Sequence, residues 1–323
     1  MTSKLYPLKF HPIFKERIWG GNKLNSVLGK AIPDGTFGES WELSDVSGDT
    51  SIVSNGELQG TSLKELQKDL QYELIGRKNY DLFGDKFPLL IKFIDAKDDL
   101  SIQLHPNDAL AKERHDSFGK TEMWYVLQAD EGSELIVDFN QEMDKELYLK
   151  HLKEKSLPSI MNIEKVTEGD TYFIEVGRVH AIGAGVMVAE IQQTSDITYR
   201  VYDWDRVDAE GNSRELHTEL AIDAIDFEMP DDFKVAYNTQ INRSNEMVHC
   251  NYFTTNYLPV KGTIRKENTK DSFIIYICVE GHVQIEVNGT IESIGKGETV
   301  LMPAALKNYT ITSENAILLE VYV

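Results

Sequence analysis

The feature that most limits how this chain can fold is a succession of short strand-like segments beginning at Lys120. In order they read TEMWYVLQA, SELIVDFN, DTYFIEV, VMVAEIQQ and ITYRVYDW. Each is rich in β-branched and aromatic residues, and each is bounded by Gly, Asp, Asn or Ser. Many short strands at this spacing build a sandwich or a barrel. From roughly Thr254 to Val323 the same grammar returns as SFIIYICVEG, HVQIEVNG, TVLMPA, NYTITS and AILLEVYV. The two parts superpose partly, GDTYFIEVGRVHAI from Gly169 on GETVLMPAALKNYTI from Gly297, and TEMWYVLQ on SFIIYICV. His180 then falls on Asn308 and Glu122 on Phe273, so the second copy keeps the β-framework and lacks those polar residues.

Helical periodicity is confined to shorter stretches. TSLKELQKDLQYELIGRK spaces Leu63, Leu66, Leu70 and Leu74 near a 3.6 period, with Thr61 or Ser62 as cap and Gly76 as stop. NQEMDKELYLKHLKEK predicts a helix from Asn140 to Lys155, and NDALAKERHD another directly after Pro106. No stretch approaches the roughly 20 uncharged apolar residues of a membrane span. MTSKLYPLKFHP has neither an apolar h-region nor a small-residue cleavage site, so cytoplasm is the expected location, with Cys250 and Cys278 reduced. A net charge of −20 argues against a nucleic-acid partner. A small anionic substrate remains possible where a local cluster of Lys or Arg offsets that field.

The polar residues in the strand-rich part form a pattern. In SIQLHPND, Gln103 and His105 are two apart, so on a strand both side chains share a face. Glu122 opens the strand TEMWYVLQ and His180 closes the turn GRVHAI; antiparallel strands can return both to one mouth. An amide oxygen, two imidazoles and a carboxylate make a mixed N/O donor set that suits zinc, without excluding iron, manganese or cobalt. Singly, each is as readily an ordinary packed or surface group, as His115, His151, His217 and His249 are expected to be; the combination points to a metal. Lys92 lies in the apolar run PLLIKFI, where an ammonium needs a partner. Trp19, Trp41 and Trp124 are expected to pack as core rather than to stack on a ligand.

Longer motifs make the chain resemble the type I mannose-6-phosphate isomerases in their short bacterial form. They are IWGG (Ile18 to Gly21), GESWELSD (Gly38 to Asp45), PLLIKFIDAKDDLSIQLHPND (Pro88 to Asp108), GKTEMWYVL (Gly119 to Leu127) and GRVHAIGAGVMVAEIQQTSDITYRVYDWDR (Gly177 to Arg206). The resemblance implies a mainly β fold of two cupin-like (jelly-roll) β-barrels with a few added helices. It divides the chain into a catalytic metal-binding domain, 1–240, with an N-terminal cover, and a degenerate C-terminal cupin domain, 241–323, without metal ligands. It further implies one zinc ion per chain, held by Gln103, His105, Glu122 and His180. Glu190 and Arg200 match the family's active-site Glu and Arg, Lys120 joins them as a catalytic candidate, and Lys92 and Ser101 match its phosphate contacts. The implied activity interconverts mannose 6-phosphate and fructose 6-phosphate through a cis-enediol, with a small-molecule sugar phosphate as partner and a monomer or homodimer as the assembly. Glu190 would shuttle the proton, unless it merely pairs with Arg200; Arg200 would stabilise the enediolate. The large central helical domain of the fungal and animal enzymes is missing. Two other functions fit a cupin: a non-catalytic sugar-phosphate sensor, and an iron dioxygenase, which a Gln ligand and a cationic set disfavour.

Overall fold

The structure, a computed structural model, describes residues 5–207, 211–229 and 232–323. It is mainly β, with short helices added near the N-terminus and between strands. An antiparallel first sheet runs in the order Ile13–Gly21, Phe37–Leu43, Leu89–Asp95, Val186–Gln193, Glu122–Ala129, Thr171–Ile174. A second sheet runs Tyr199–Tyr202, Ile102–Leu104, His180–Ile182, Glu134–Phe139, Met161–Lys165. A third is built from the C-terminal strands between Asn245 and Tyr322. These are open sheets: among the described residues, no ladder joins the first to the second, so hydrogen-bonded closure into two barrels is not seen.

Every residue of VMVAEIQQ is buried, because the first sheet is covered on both faces. Met187, Ala189 and Ile191 alternate onto one face, in a core shared with Ile275, Ile277, Leu319 and Val321 of the third sheet. Val186 and Val188 point the other way, toward Leu135, Val137 and Ile182 of the second sheet. The period of two therefore puts Glu190 and Gln192 on the face that meets the second sheet. Lys92 and Glu122 share that parity on the neighbouring strands, their flanking residues Ile91, Phe93 and Met123 lying in the core on the opposite face.

The helix expected from Thr61 onward is three pieces: Leu63–Leu70, Tyr72–Ile75 and Arg77–Phe83. Ser62 is the cap, closing a capping box with Glu65. Gln71, at φ 49, breaks the run and turns Leu74 and Ile75 into the core that also holds Leu63 and Leu66. Gly76 is the stop, at φ 92. The helix expected over Asn140–Lys155 spans only Lys145–Lys153, because Asp144 caps it by accepting from the Leu147 N–H. SFIIYICVEG and HVQIEVNG are halves of one strand, Ile274–Val287, bent where Gly281 meets the backbone of Asn315. Both cysteines are free thiols, and no described helix is long and apolar enough to cross a membrane.

Gly76 also ties the helices to the third sheet's side of the molecule. The Asp271 carboxylate accepts from the N–H groups of Arg77 and Lys78, each at 2.9 Å. A Cβ on Gly76 would run into the Asp271 carbonyl, at a φ that disfavours any side chain. Gly76→Ala is expected to cost about 2 kcal/mol or more of stability. Urea unfolding should show a lower midpoint at unchanged slope; an unchanged midpoint would refute this contact.

Candidate metal centre

Backbone pairing begins the site. Gln103 lies across from His180 on one side and from Arg200 on the other, all on the second sheet. His105 follows directly after the strand Ile102–Leu104. Glu122 opens its strand on the first sheet, so the donors converge from two facing layers. His105 Nε2 is 3.4 Å from Glu122 Oε2, and His180 Nε2 is 3.6 Å from Glu122 Oε1. The donor atoms of His105, Glu122 and His180 all lie within 4.8 Å of one another, and all three residues are buried. The Gln103 amide stands 3.5 Å from His180 Nε2.

The hydrogen bonds set the chemistry of these donors. His105 Nδ1 is 2.9 Å from the Ile197 carbonyl, and His180 Nδ1 is 2.9 Å from that of Arg178. A carbonyl only accepts, so each Nδ1 carries the proton and each Nε2 turns a lone pair toward Glu122. Burial keeps both rings neutral: it pushes His180 down to about 3 against the opposing pull of Glu122, and lowers His105 with the help of Lys120. Burial alone would raise Glu122, but the Lys120 ammonium beside it holds its carboxyl well below the usual range. Glu122 Oε1 is buried without a hydrogen-bond partner among the described residues. Neutral nitrogens and an orphaned buried carboxylate oxygen fit a divalent cation. Gln103 Oε1 accepts from Ser101 Oγ at 3.3 Å; with the amide turned over, Nε2 would serve Ser101 and the oxygen would face the donor set. Lys120 Nζ is 3.0 Å from His105 Nε2 and bonds Glu122 Oε2. His105 Nε2 has a single lone pair, so the ammonium and a divalent cation are alternative partners for it.

A cavity of about 290 Å³ adjoins these donors, lined by Lys92, Ser101, Gln103, Lys120, His180, Glu190 and Arg200 among others. Trp41, Lys92, Glu190 and Trp124 form a cross-strand row over four strands of the first sheet. Lys92 Nζ is 3.1 Å from Glu190 Oε1, and the Trp124 indole N–H donates to Glu190 Oε2 at 3.0 Å. Glu190 is thus the partner that buried Lys92 requires, and the expected alternative, a Glu190–Arg200 ion pair, does not form. Arg200 instead donates to Ser101 Oγ at 3.3 Å and to the Glu215 carbonyl at 2.8 Å. Trp124 and Trp19 are core residues as expected, yet both also line the cavity. His217, expected to be an ordinary packed or surface group, accepts the Arg200 backbone N–H at 3.1 Å.

Four charged lining residues escaped the sequence reading: Arg17, Glu39, Asp196 and Arg214. Arg17 and Glu39 pair at 2.8 Å, and Glu39 also accepts from the Trp41 indole at 2.6 Å. The signal for Glu39 was its place in FGESWEL, a strand buried at every position. Arg214 follows the last motif and offers no local signal.

Residues 7–142 match the family model for the phosphomannose isomerase type I catalytic domain, and 243–323 that for the mannose-6-phosphate isomerase cupin domain. Over 308 residues the chain is 35% identical to the mannose-6-phosphate isomerase ManA of Bacillus subtilis, covering 94% of this chain and 95% of that protein. The chain belongs to the type I phosphomannose isomerase family. The mannose-6-phosphate isomerase of Streptococcus mutans is 34% identical, with 94% of each chain covered. A crystal structure of the Bacillus subtilis mannose 6-phosphate isomerase superposes with a TM-score of 0.89 at 31% identity, over 99% of this chain and 100% of that one.

In this member of the phosphomannose isomerase family, the neutral histidines link stability to pH. Histidine titrates near 6.5 when unfolded and His180 near 3 when folded, so between these values the unfolded chain binds the extra proton. Stability is therefore lost as pH falls through that window. His105 adds a loss of the same sign, as does Glu122 below 4.5. The metal-free protein is expected to lose about 2 kcal/mol through His180 alone between pH 7 and pH 5. Urea titrations at both pH values measure it, and equal stabilities would rule out two neutral buried imidazoles.

Proposed function

We propose that this protein interconverts mannose 6-phosphate and fructose 6-phosphate through a cis-enediol, with one zinc ion held by Gln103, His105, Glu122 and His180. The observation that carries the reading is the shared cavity: an oriented carboxylate, Glu190, stands beside a buried set of neutral and anionic metal donors. Relatives of matching length bear the name mannose-6-phosphate isomerase. The N/O donor set suits zinc, which when bound would act as a Lewis acid toward the substrate oxygens.

Glu190 moves the proton between C2 and C1. Trp124 and Lys92 each take one of its oxygens, which fixes the carboxylate's orientation on the cavity wall. Burial favours the neutral form of Lys120, but Glu122 and Glu190 override that and hold its proton affinity above the ordinary value. It acts as a cationic donor. Arg200 reaches the cavity from the second sheet and offers guanidinium N–H groups to the developing enediolate. Ser101 lines the same cavity and serves as a phosphate contact, while Lys92, expected to be another, is engaged by Glu190. In this reading 1–240 is the catalytic unit, its facing sheets the walls of one cupin barrel, and 241–323 is a degenerate cupin.

A coupled assay for fructose 6-phosphate, run together with metal analysis by mass spectrometry, tests the assignment. His180→Ala should lose metal and turnover together. Arg200→Ala should keep its metal and lose about 10²–10³-fold in rate. An active, metal-loaded His180→Ala protein would defeat the proposal.

A further inference from the structure

The two walls of the cavity differ in charge balance. On the first sheet's side each cation faces an acid: Lys92 faces Glu190, Lys120 faces Glu122, and Arg17 faces Glu39. On the second sheet's side, Arg206 and Arg214 converge on one buried carboxylate, Asp203. Arg214 gives it Nε at 2.7 Å and also Nη2, a bidentate grip, while Arg206 donates Nη2 at 2.5 Å. Arg200, close enough to feel both guanidinium charges, takes Ser101 and a backbone carbonyl as its side-chain partners among the described residues. Among the described residues, two guanidinium groups share one carboxylate, which leaves that cluster one positive charge in excess, and Arg200 adds a second on the same cavity wall. Asp196, which lines the cavity, and Glu215, whose carbonyl holds Arg200, are exposed, so water screens their charges.

A phosphate monoester carries about −1.5 to −2 charge near neutral pH. That charge matches the excess, and a phosphate's oxygens suit guanidinium forks. Arg200, Arg214 and Ser101 line the cavity together, whereas Asp203 and Arg206 stand behind them. The Arg214 side chain is 30% exposed against 6% for Asp203, so Arg214 can meet a ligand while its clamp stays dry. Such a clamp lowers the ordering cost of binding.

We propose that Arg214, beside Arg200 and Ser101, recognises the phosphate and makes the cavity specific for a phosphorylated sugar, with Asp203 as its positioning residue. The identity of the anion rests on the isomerase reading; the charge excess does not.

The test uses the full-length, metal-loaded protein. Arg214→Gln should raise the KM for mannose 6-phosphate about tenfold or more, with kcat within about threefold and metal content unchanged. Binding of inorganic phosphate, followed by calorimetry, should weaken in parallel, and Arg214→Lys should recover part of both losses. Asp203→Asn should raise KM while sparing kcat, a split that a purely structural role would not produce; should it fail to fold, Arg214→Gln decides alone. KM and phosphate affinity within twofold of wild type in folded Arg214→Gln would overturn the assignment. Absence of isomerisation by the wild-type protein would defeat the isomerase reading instead, and the inorganic phosphate titration would still decide for or against Arg214.

Discussion

The burial of the Glu122 carboxylate between two facing sheets is the constraint on which the rest of the site depends. An isolated charge removed from water costs several kcal/mol, so the surroundings must supply positive charge and donors. Lys120 answers one oxygen and nothing in the described residues bonds the other. The histidines sharpen the demand, because two backbone carbonyls fix their tautomers and leave lone pairs facing the same point. Such a cluster of acceptors is stable only around a cation. This is why the donor set reads as a metal centre and not as an ordinary polar core.

The third sheet contributes at a distance. By covering the apolar face of the first sheet, it lets Leu89–Asp95 and Val186–Gln193 be buried on both sides. Rigid strands then hold the Lys92–Glu190 pair and Trp124 in one cross-strand row. A carboxylate on such a platform keeps its orientation when a ligand enters, which a loop would not guarantee. The first sheet thus gives the cavity a charge-balanced wall and the second a cationic one.

Much of this was legible locally. The strand series shows in composition and turn residues. Gln103 and His105 share a short segment, and Glu122 and His180 sit at strand ends where a donor can reach a mouth. What stayed hidden depends on register between distant strands. Lys92 visibly needed a partner, but its choice of Glu190, 98 residues away, follows from pairing that no local pattern encodes. Asp203 and Arg214 were hidden for a related reason: an acid that clamps an arginine looks the same in sequence as a solvated one. The break at Gln71 escaped because a positive φ at glutamine has no propensity signature. Gly281 was read as ending a strand, whereas here it bends one.

Anomalous diffraction from a crystal of the metal-loaded protein tests the central claim most directly. A single peak is expected between the sheets, about 2.0–2.2 Å from a nitrogen of His105 and of His180 and from an oxygen of Glu122 and of Gln103. Lys120 should then have left His105. A map with no peak there, and the Lys120 ammonium still seated between Glu122 and His105, would contradict it.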